Sequence, residues 1–299
     1  MRLGCIGVGS NAIRLLNAQW NGTSLCVPLR ERRGTRLFAG LCGGMLTQES
    51  MDASVNAVGE LARLAREDGA CGLFVFATSA VRDAKNGDEF TARASEAAGT
   101  PVEIITGEEE AILSYLGASE GGKCGVVDIG GGSTEFTLGE GARIDGAISL
   151  QMGAVRMHAQ TPVQTEQDYE QAVERCMKII RRDAAGLLAL GARDAWCGVG
   201  GTMTTLGAMQ MKTPLFLPDV CEGMTIRVEE VAQWGRKLSR MTLSERRQIV
   251  GLMPQRADII PSGVAILEAS MRCFSVREIR LSAHGNMDGF LKKKFREMY

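Results

Sequence analysis

Val126-Val127-Asp128-Ile129-Gly130-Gly131-Gly132-Ser133-Thr134-Glu135-Phe136 is the stretch on which the reading of this chain turns. A short apolar run delivers a carboxylate to its end, passes through three consecutive glycines and leaves through Thr134-Glu135-Phe136 into a second apolar run. Two strands joined by a glycine turn are the simplest reading. Without Cβ atoms, Gly130, Gly131 and Gly132 can take positive φ angles and let backbone N–H groups approach a ligand closely. Successive N–H groups facing inward form an anion nest, with Ser133 closing the turn, and a carboxylate beside it suits a divalent cation that neutralises a phosphate. An ordinary glycine hairpin accounts for the same residues, so the surrounding chain has to decide.

Outward from this turn, the pattern occurs twice. Leu3 to Val8 reads as a strand, Gly9-Ser10-Asn11 as a turn, Ala12 to Trp20 as a returning strand and Ser24 to Arg30 as a third. From Cys124 the order recurs: Gly125 to Ile129, the glycine turn, Thr134 to Leu138, then Ala142 to Leu150. In the first half a helix over 48–67 follows, with Met51, Val55, Val58, Leu61 and Leu64 on one face, and then a strand over 72–77. In the second half the helix is expected over 166–190 and the strand over 194–199. A duplicated β-β-β-α-β-α unit explains this most economically, with a boundary at Gly121-Gly122-Lys123. The expected domains are 1–122 and 123–299, the terminal helix being able to pack back on the first.

A third glycine turn follows the last of these strands, in Trp196-Cys197-Gly198-Val199-Gly200-Gly201-Thr202, and a helix continues it to Met211. N–H groups at that helix start, with the Thr202 hydroxyl, would add anion donors aided by the helix dipole. A further segment, Ile104-Ile105-Thr106-Gly107-Glu108-Glu109-Glu110-Ala111-Ile112-Leu113, carries three carboxylates in a row. Thr106 and Glu109 fit a capping box, and Glu108 sits in the first turn, where the dipole favours a negative charge. Glu110 lies past the cap, on a face shared with Leu113 and Ser114. It reads either as a solvated helix charge or as a general base in a semi-buried cleft.

Composition narrows the function classes. A chain of 299 residues exceeds one typical core, so two domains are the natural count. With 45% hydrophobic and 23% charged residues and a net charge of -1, it offers no global field for DNA, RNA or an anionic membrane, and a polyanion must be caught locally. The start of the chain, broken by Gly7, Gly9, Ser10 and Asn11, does not read as a signal peptide, and no apolar run approaches the ~18 residues of a membrane span. Nine scattered cysteines without C-x-x-C spacing, beside only two histidines, argue against zinc and for reduced thiols in a cytoplasmic protein. Lys292-Lys293-Lys294 and the arginines at 30, 32, 33 and 36, expected around a turn, are ordinary solvated charge as readily as a track for an anionic chain.

Taken together, Gly9-Ser10-Asn11, the run Ala77-Thr78-Ser79-Ala80-Val81-Arg82-Asp83-Ala84-Lys85-Asn86, Gly107 to Ala111, Asp128 to Glu135 and Arg256-Ala257-Asp258-Ile259-Ile260 resemble the exopolyphosphatase and guanosine pentaphosphate phosphatase (Ppx/GppA) family. These separate segments agree in order and spacing over nearly the whole chain. The resemblance implies an α/β fold of two actin-like (ribonuclease H-like) domains around a central cleft, and Mg2+-dependent hydrolysis of a terminal phosphoanhydride. The substrates implied are inorganic polyphosphate or guanosine pentaphosphate, and a homodimer is a family-level expectation. Matched residue by residue, the family's catalytic glutamate falls on Glu110, and acidic positions for metal or water contacts fall on Asp128 and Glu135. Ser10 and Asn11 match the first phosphate loop, Gly130 to Ser133 the second, and Gly200, Gly201 and Thr202 a third. Arg82 matches a basic cleft position, and Arg256 is a weaker candidate in the late motif.

Two departures stand out. The family places an aspartate where this chain has Gly7, and an arginine near Met287 in Ser282-Ala283-His284-Gly285-Asn286-Met287-Asp288-Gly289 is also missing. Low activity, altered metal use or a protein reduced to sensing phosphorylated ligands would each follow from such losses. An ATP-dependent kinase of the same superfold is the remaining alternative, but no sugar or nucleotide-base pocket is recognisable in the sequence.

Overall fold

The computed structural model describes residues 1–22, 24–213 and 218–298. The chain divides into two compact units, Met1–Gly117 with Asn286–Tyr299, and Ala118–Gly285. The first crossing therefore falls at Ala118, a few residues before the glycine pair suggested by the sequence.

The first unit opens on a meander of β1 (Arg2–Val8), β2 (Ile13–Trp20) and β3 (Leu25–Arg33). A short ladder of β4 (Leu41–Cys42) and β5 (Met45–Leu46) leads to helix α1 (Gln48–Glu67) and strand β6 (Gly72–Ala77). Then come the single turn α2 (Ser79–Arg82), α3 (Gly87–Ala98), β7 (Val102–Ile104) and α4 (Gly107–Ala118). The sheet order is β3-β2-β1-β6-β7. Tight turns force β1, β2 and β3 to alternate in direction, whereas β6 is reached through a helical crossover and so lies parallel to β1. α1 starts where the Thr47 side chain accepts from Ser50 N, and it buries Met51, Val58, Leu61 and Ala65.

β3 runs on to Arg33, past the turn suggested by its arginines, because Ile13 pairs with Arg33 across the ladder. The charges are accommodated by partners: Arg33 lies 2.8 Å from Glu31 and 2.6 Å from Glu60, and Arg30 lies 3.4 Å from Asp288.

The second unit repeats the meander with β8 (Lys123–Ile129), β9 (Thr134–Glu140) and β10 (Arg143–Leu150). Helices α5 (Ala154–Gln160), α6 (Glu166–Asp183) and α7 (Ala185–Leu188) precede β11 (Ala195–Gly200) and α8 (Gly201–Met211). The unit continues through β12 (Thr225–Arg227), α9 (Val228–Ser239), α10 (Leu243–Arg246), α11 (Ile260–Cys273) and β13 (Glu278–Leu281). The sheet order is β10-β9-β8-β11-β13-β12. The single helix expected over 166–190 is broken at Ala184, whose φ of -104° leaves the helical region. The short α7 that follows contains Gly186, a weak helix former, and turns Leu187 into the core. α11 is buried on every side from Ile260 to Met271, so it forms the centre of this unit's core.

The closing helix α12 (Asn286–Met298) belongs to the first unit, where Met287, Leu291 and Phe295 join Leu3, Cys5, Leu16, Ala18 and Phe76 in one apolar cluster. Each unit thus carries an antiparallel meander continued by parallel strands, which is the ribonuclease H-like plan of the actin-like fold. Among the described residues no helix is long and apolar enough to cross a membrane.

Candidate functional site

In the first unit the local geometry of α4 separates its three carboxylates. Glu109 N donates to Thr106 Oγ1 (3.1 Å), while Glu109 Oε2 accepts from Thr106 N (2.7 Å) and from Thr106 Oγ1 (2.9 Å), a reciprocal cap. The backbone N–H of Thr106, with its hydroxyl second, holds the Glu109 carboxyl below the usual carboxylate range. Glu108 and Glu109 are exposed, but Glu110 is buried to 7% exposure. Arg82 Nη1 donates to Glu110 Oε2 (3.2 Å) and to the Ile105 carbonyl (2.9 Å), and Asn286 Nδ2 lies 3.4 Å from Glu110 Oε1. A carboxylate in so dry a place needs such donors to remain charged. Arg82 Nη2 is buried with no hydrogen-bond partner among the described residues, so the guanidinium keeps donor capacity for an anion.

Ser10 and Asn11 form the turn between β1 and β2 and are both buried. Their carbonyls accept from Phe38 N (2.9 Å) and Arg36 N (3.1 Å), which fixes the turn from the outside. Ser10 Oγ lies 2.9 Å from Ser79 Oγ at the start of α2, so this serine belongs to the same polar cluster as Arg82, three residues along. Gly7 has an ordinary backbone, and a Cβ there would lie 2.9 Å from Met287 Sδ and 3.2 Å from its Cγ. The place of the expected aspartate is therefore filled by methionine, and the two departures from the family pattern are one apolar contact.

In the second unit, ladder register sets Asp128 of β8 opposite Glu135 of β9, and Glu135 opposite Ser149 of β10. Directly opposed residues share a face, so the two carboxylates lie side by side. Ser149 Oγ donates to Glu135 Oε1 at 2.6 Å, orienting a carboxylate that is almost fully buried. Gly130 N donates to Ser133 O (3.0 Å), closing the hairpin turn. Gly130 has no left-handed backbone; a Cβ on it would lie 3.0 Å from the Ser133 oxygen, a tight contact. The carbonyls of the turn are engaged from behind: Ala154 N donates to Gly130 O (3.0 Å), Val155 N to Gly131 O (2.8 Å) and Arg156 Nε to Gly132 O (2.6 Å). None of Gly130, Gly131 and Gly132 has a positive φ, so the turn is built without the left-handed freedom that the sequence offered it.

The third turn is where a positive φ is needed. Gly200 has φ 97°, and a Cβ on it would lie 2.6 Å from the Ile129 carbonyl and 2.8 Å from Asp128 Oδ1. Glycine at 200 thus lets the third loop close onto the end of β8 and its carboxylate. Gly201 opens α8, offering first-turn N–H groups. Thr202 is buried, and its hydroxyl lies beside Gly263 of α11. Arg256, the weaker candidate, has its guanidinium against Gly201, placing a cation at the α8 start.

Asp128 and Glu135 fit Mg2+, a hard cation that takes one or two carboxylates and completes its shell with water and phosphate oxygens. Among the described residues no group of three or more His, Cys, Asp or Glu side chains gathers to form a full protein cage. The thiols of Cys5, Cys176 and Cys197 are buried: desolvation pushes Cys176 and Cys197 up to about 12 and raises Cys5 as well, so these three stay protonated at neutral pH. Of the terminal lysines, Lys292 donates to the carbonyls of Leu116 (3.2 Å) and Gly117 (2.7 Å) at the end of α4, and Lys294 pairs with Glu297 (3.0 Å). Ser79, Ser149 and Asn286 are site neighbours that local sequence pattern does not reveal.

A model of the Ppx/GppA phosphatase family matches residues 18–297, and the chain belongs to that family. Exopolyphosphatase 2 of Mycobacterium tuberculosis is 30% identical over 310 residues, covering 96% of this chain and 97% of that protein. Among solved structures, an exopolyphosphatase-like protein superposes with a TM-score of 0.91 at 29% identity, over the whole of both chains. The Ppx/GppA enzyme of Aquifex aeolicus gives a TM-score of 0.83 at 28% identity, over 98% of this chain and 99% of that one.

Proposed function

We propose that this chain releases orthophosphate from the end of inorganic polyphosphate by attack of water on the terminal phosphoanhydride. The observation that carries this reading is the buried Glu110 carboxylate, held on one oxygen by Arg82 and approached on the other by Asn286. The relatives named exopolyphosphatases supply the substrate class. Phosphoryl transfer asks the protein mainly for positioning and charge stabilisation, because the transferred group spreads negative charge over its outer oxygens. Glu110 orients the attacking water and takes its proton. In the first unit Arg82 offers donors to phosphate oxygens, with Ser10 and Asn11 lining the first loop; in the second unit the Gly130–Ser133 loop and the first-turn amides at Gly201 and Thr202 offer theirs. Asp128 and Glu135 would hold Mg2+, which when bound neutralises phosphate charge and polarises the scissile bond. Guanosine pentaphosphate presents the same terminal anhydride and is the second substrate this machinery serves.

The apolar contact between Gly7 and Met287 favours a second reading, a phosphate-ligand sensor with weakened catalysis, since it leaves no carboxylate at the end of β1. Orthophosphate release from polyphosphate, guanosine pentaphosphate and ATP, each with and without chelator, decides between them. Chelator-sensitive release from polyphosphate, abolished by Glu110→Gln, is expected. Tight polyphosphate binding with no release would establish the sensor, and release from ATP in preference to both others would overturn the polyphosphate assignment.

A further inference from the structure

The start of α12 makes three successive contacts within the first unit, and each answers a charge or a gap there. Met287 fills the space over Gly7, Asp288 pairs with Arg30 of β3, and Asn286 stands between Arg14 of β2 and Glu110 of α4. Asn286 is itself buried, at 5% exposure. Arg14 Nη2 donates to Asn286 Oδ1 at 3.4 Å, and Asn286 Nδ2 faces Glu110 Oε1 at the same distance of 3.4 Å. Arg14 has only donors to offer, so it must meet the amide oxygen, and the amide NH2 is then obliged to turn toward the carboxylate. The amide is in this way a relay with one possible orientation. It lets the cation of Arg14 act on Glu110 without forming an ion pair that would occupy the carboxylate.

We propose that Asn286 is a positioning residue for the reaction, its amide oriented by Arg14 so that its NH2 holds Glu110 Oε1 while Arg82 holds Oε2. The inference rests on Glu110 being the base. With both oxygens tethered, the carboxylate plane is fixed, and the lone pair left on either oxygen is aimed at one place where water can be taken. Catalysis by an oriented base depends on such alignment. Among the charged groups, Arg82 from α2 meets Glu110 directly and Arg14 from β2 reaches it through the amide; Asp288 of α12 pairs with Arg30 of β3, and Glu108 and Glu109 lie on the same helix as Glu110, Glu109 being committed to the Thr106 cap.

Two variants of the full chain test this, with long-chain inorganic polyphosphate as the probe. Asn286→Leu keeps the branched shape and removes both hydrogen bonds; kcat is expected to fall about tenfold or more with KM within about twofold, as for losing an interaction that aligns the base. Asn286→Asp places a carboxylate against Glu110 and is expected to move the acid limb of the kcat profile upward, because a like charge disfavours ionisation of its neighbour. Thermal unfolding is followed for both. If both variants keep the wild-type kcat and acid limb, or if kcat falls only in proportion to folded protein, Asn286 is structural and the inference is overturned. Glu110→Gln is measured alongside: if it retains turnover, the base assignment itself fails, whereas loss in Glu110→Gln with unaltered Asn286 variants overturns the positioning role alone.

Discussion

Glu110 shows what a single residue's surroundings add to its sequence context. Three adjacent glutamates differ in fate because Glu109 turns back to cap the helix, Glu108 stays in solvent and Glu110 points inward to Arg82. Glu110→Gln keeps the shape and accepts from Arg82 through its amide oxygen, but it cannot take a proton. Turnover is therefore expected to fall by about 10²–10⁴ with polyphosphate binding retained; a variant that keeps more than a tenth of the wild-type rate would move the base elsewhere. Gly7 is the opposite case, a residue defined by what fills its place. Gly7→Asp would push a carboxylate against Met287 Sδ and into contact with Phe76, so overpacking of about 1–3 kcal/mol is expected, seen as a lower unfolding temperature. A Gly7→Asp variant as stable as the parent, with a tighter Mg2+ titration, would show that the aspartate can simply be restored. That Glu110 lies past the cap was legible in the sequence. Its partnership with Asn286 was not, because the two are 176 positions apart and only the folded first unit joins them.

Elements were read more easily than their ends, and the reasons differ. Strong apolar runs bounded by glycines located β1, β2, β6, β8 and β9, but β3 outlasted its expected end because ion pairs neutralise its arginines. The glycine turns were legible as turns, while their distinct backbones were not: Gly130 lies close to a neighbouring carbonyl without a positive φ, and Gly200 takes one. Gly200→Ala would force a Cβ against the Ile129 carbonyl and Asp128 Oδ1 in an extended, positive-φ backbone that essentially only glycine adopts, at a cost of about 1–3 kcal/mol by itself. The expected result is a marked loss of stability and of phosphate binding; a normally stable Gly200→Ala variant with intact binding would mean the loop can stand away from β8. The α4 cap has a pH signature. Because the folded-state pKa of Glu109 lies below its ordinary 4.5, its contribution to stability is present above that value and is lost as pH falls through the lowered one. Wild type should therefore exceed Glu109→Gln in unfolding temperature at neutral pH, with the difference closing in acid; a difference that grows in acid would contradict the cap's charge.

Over the whole molecule, the sequence is not cut where the structure is divided. The duplication of the meander was visible as a repeated order of apolar runs, yet α12, last in the chain, completes the unit that the first residues begin. The sequence allowed the terminal helix to pack back on the first domain, but amphipathic spacing alone does not fix where Met287, Leu291 and Phe295 are buried. The consequence is a local dependence of the first unit on the far end of the chain. Leu291 is fully buried in the cluster with Leu3, Cys5, Leu16 and Phe76, so Leu291→Ala leaves a cavity there and should cost about 2–5 kcal/mol. Amide hydrogen exchange should place that loss: protection falls in β1, β2 and β6, whereas β8, β9 and β11, whose core is built from other side chains, keep theirs. Equal loss of protection in both sets of strands would mean that the units open as one cooperative body, and that the closing helix stabilises the whole chain and not the first unit alone.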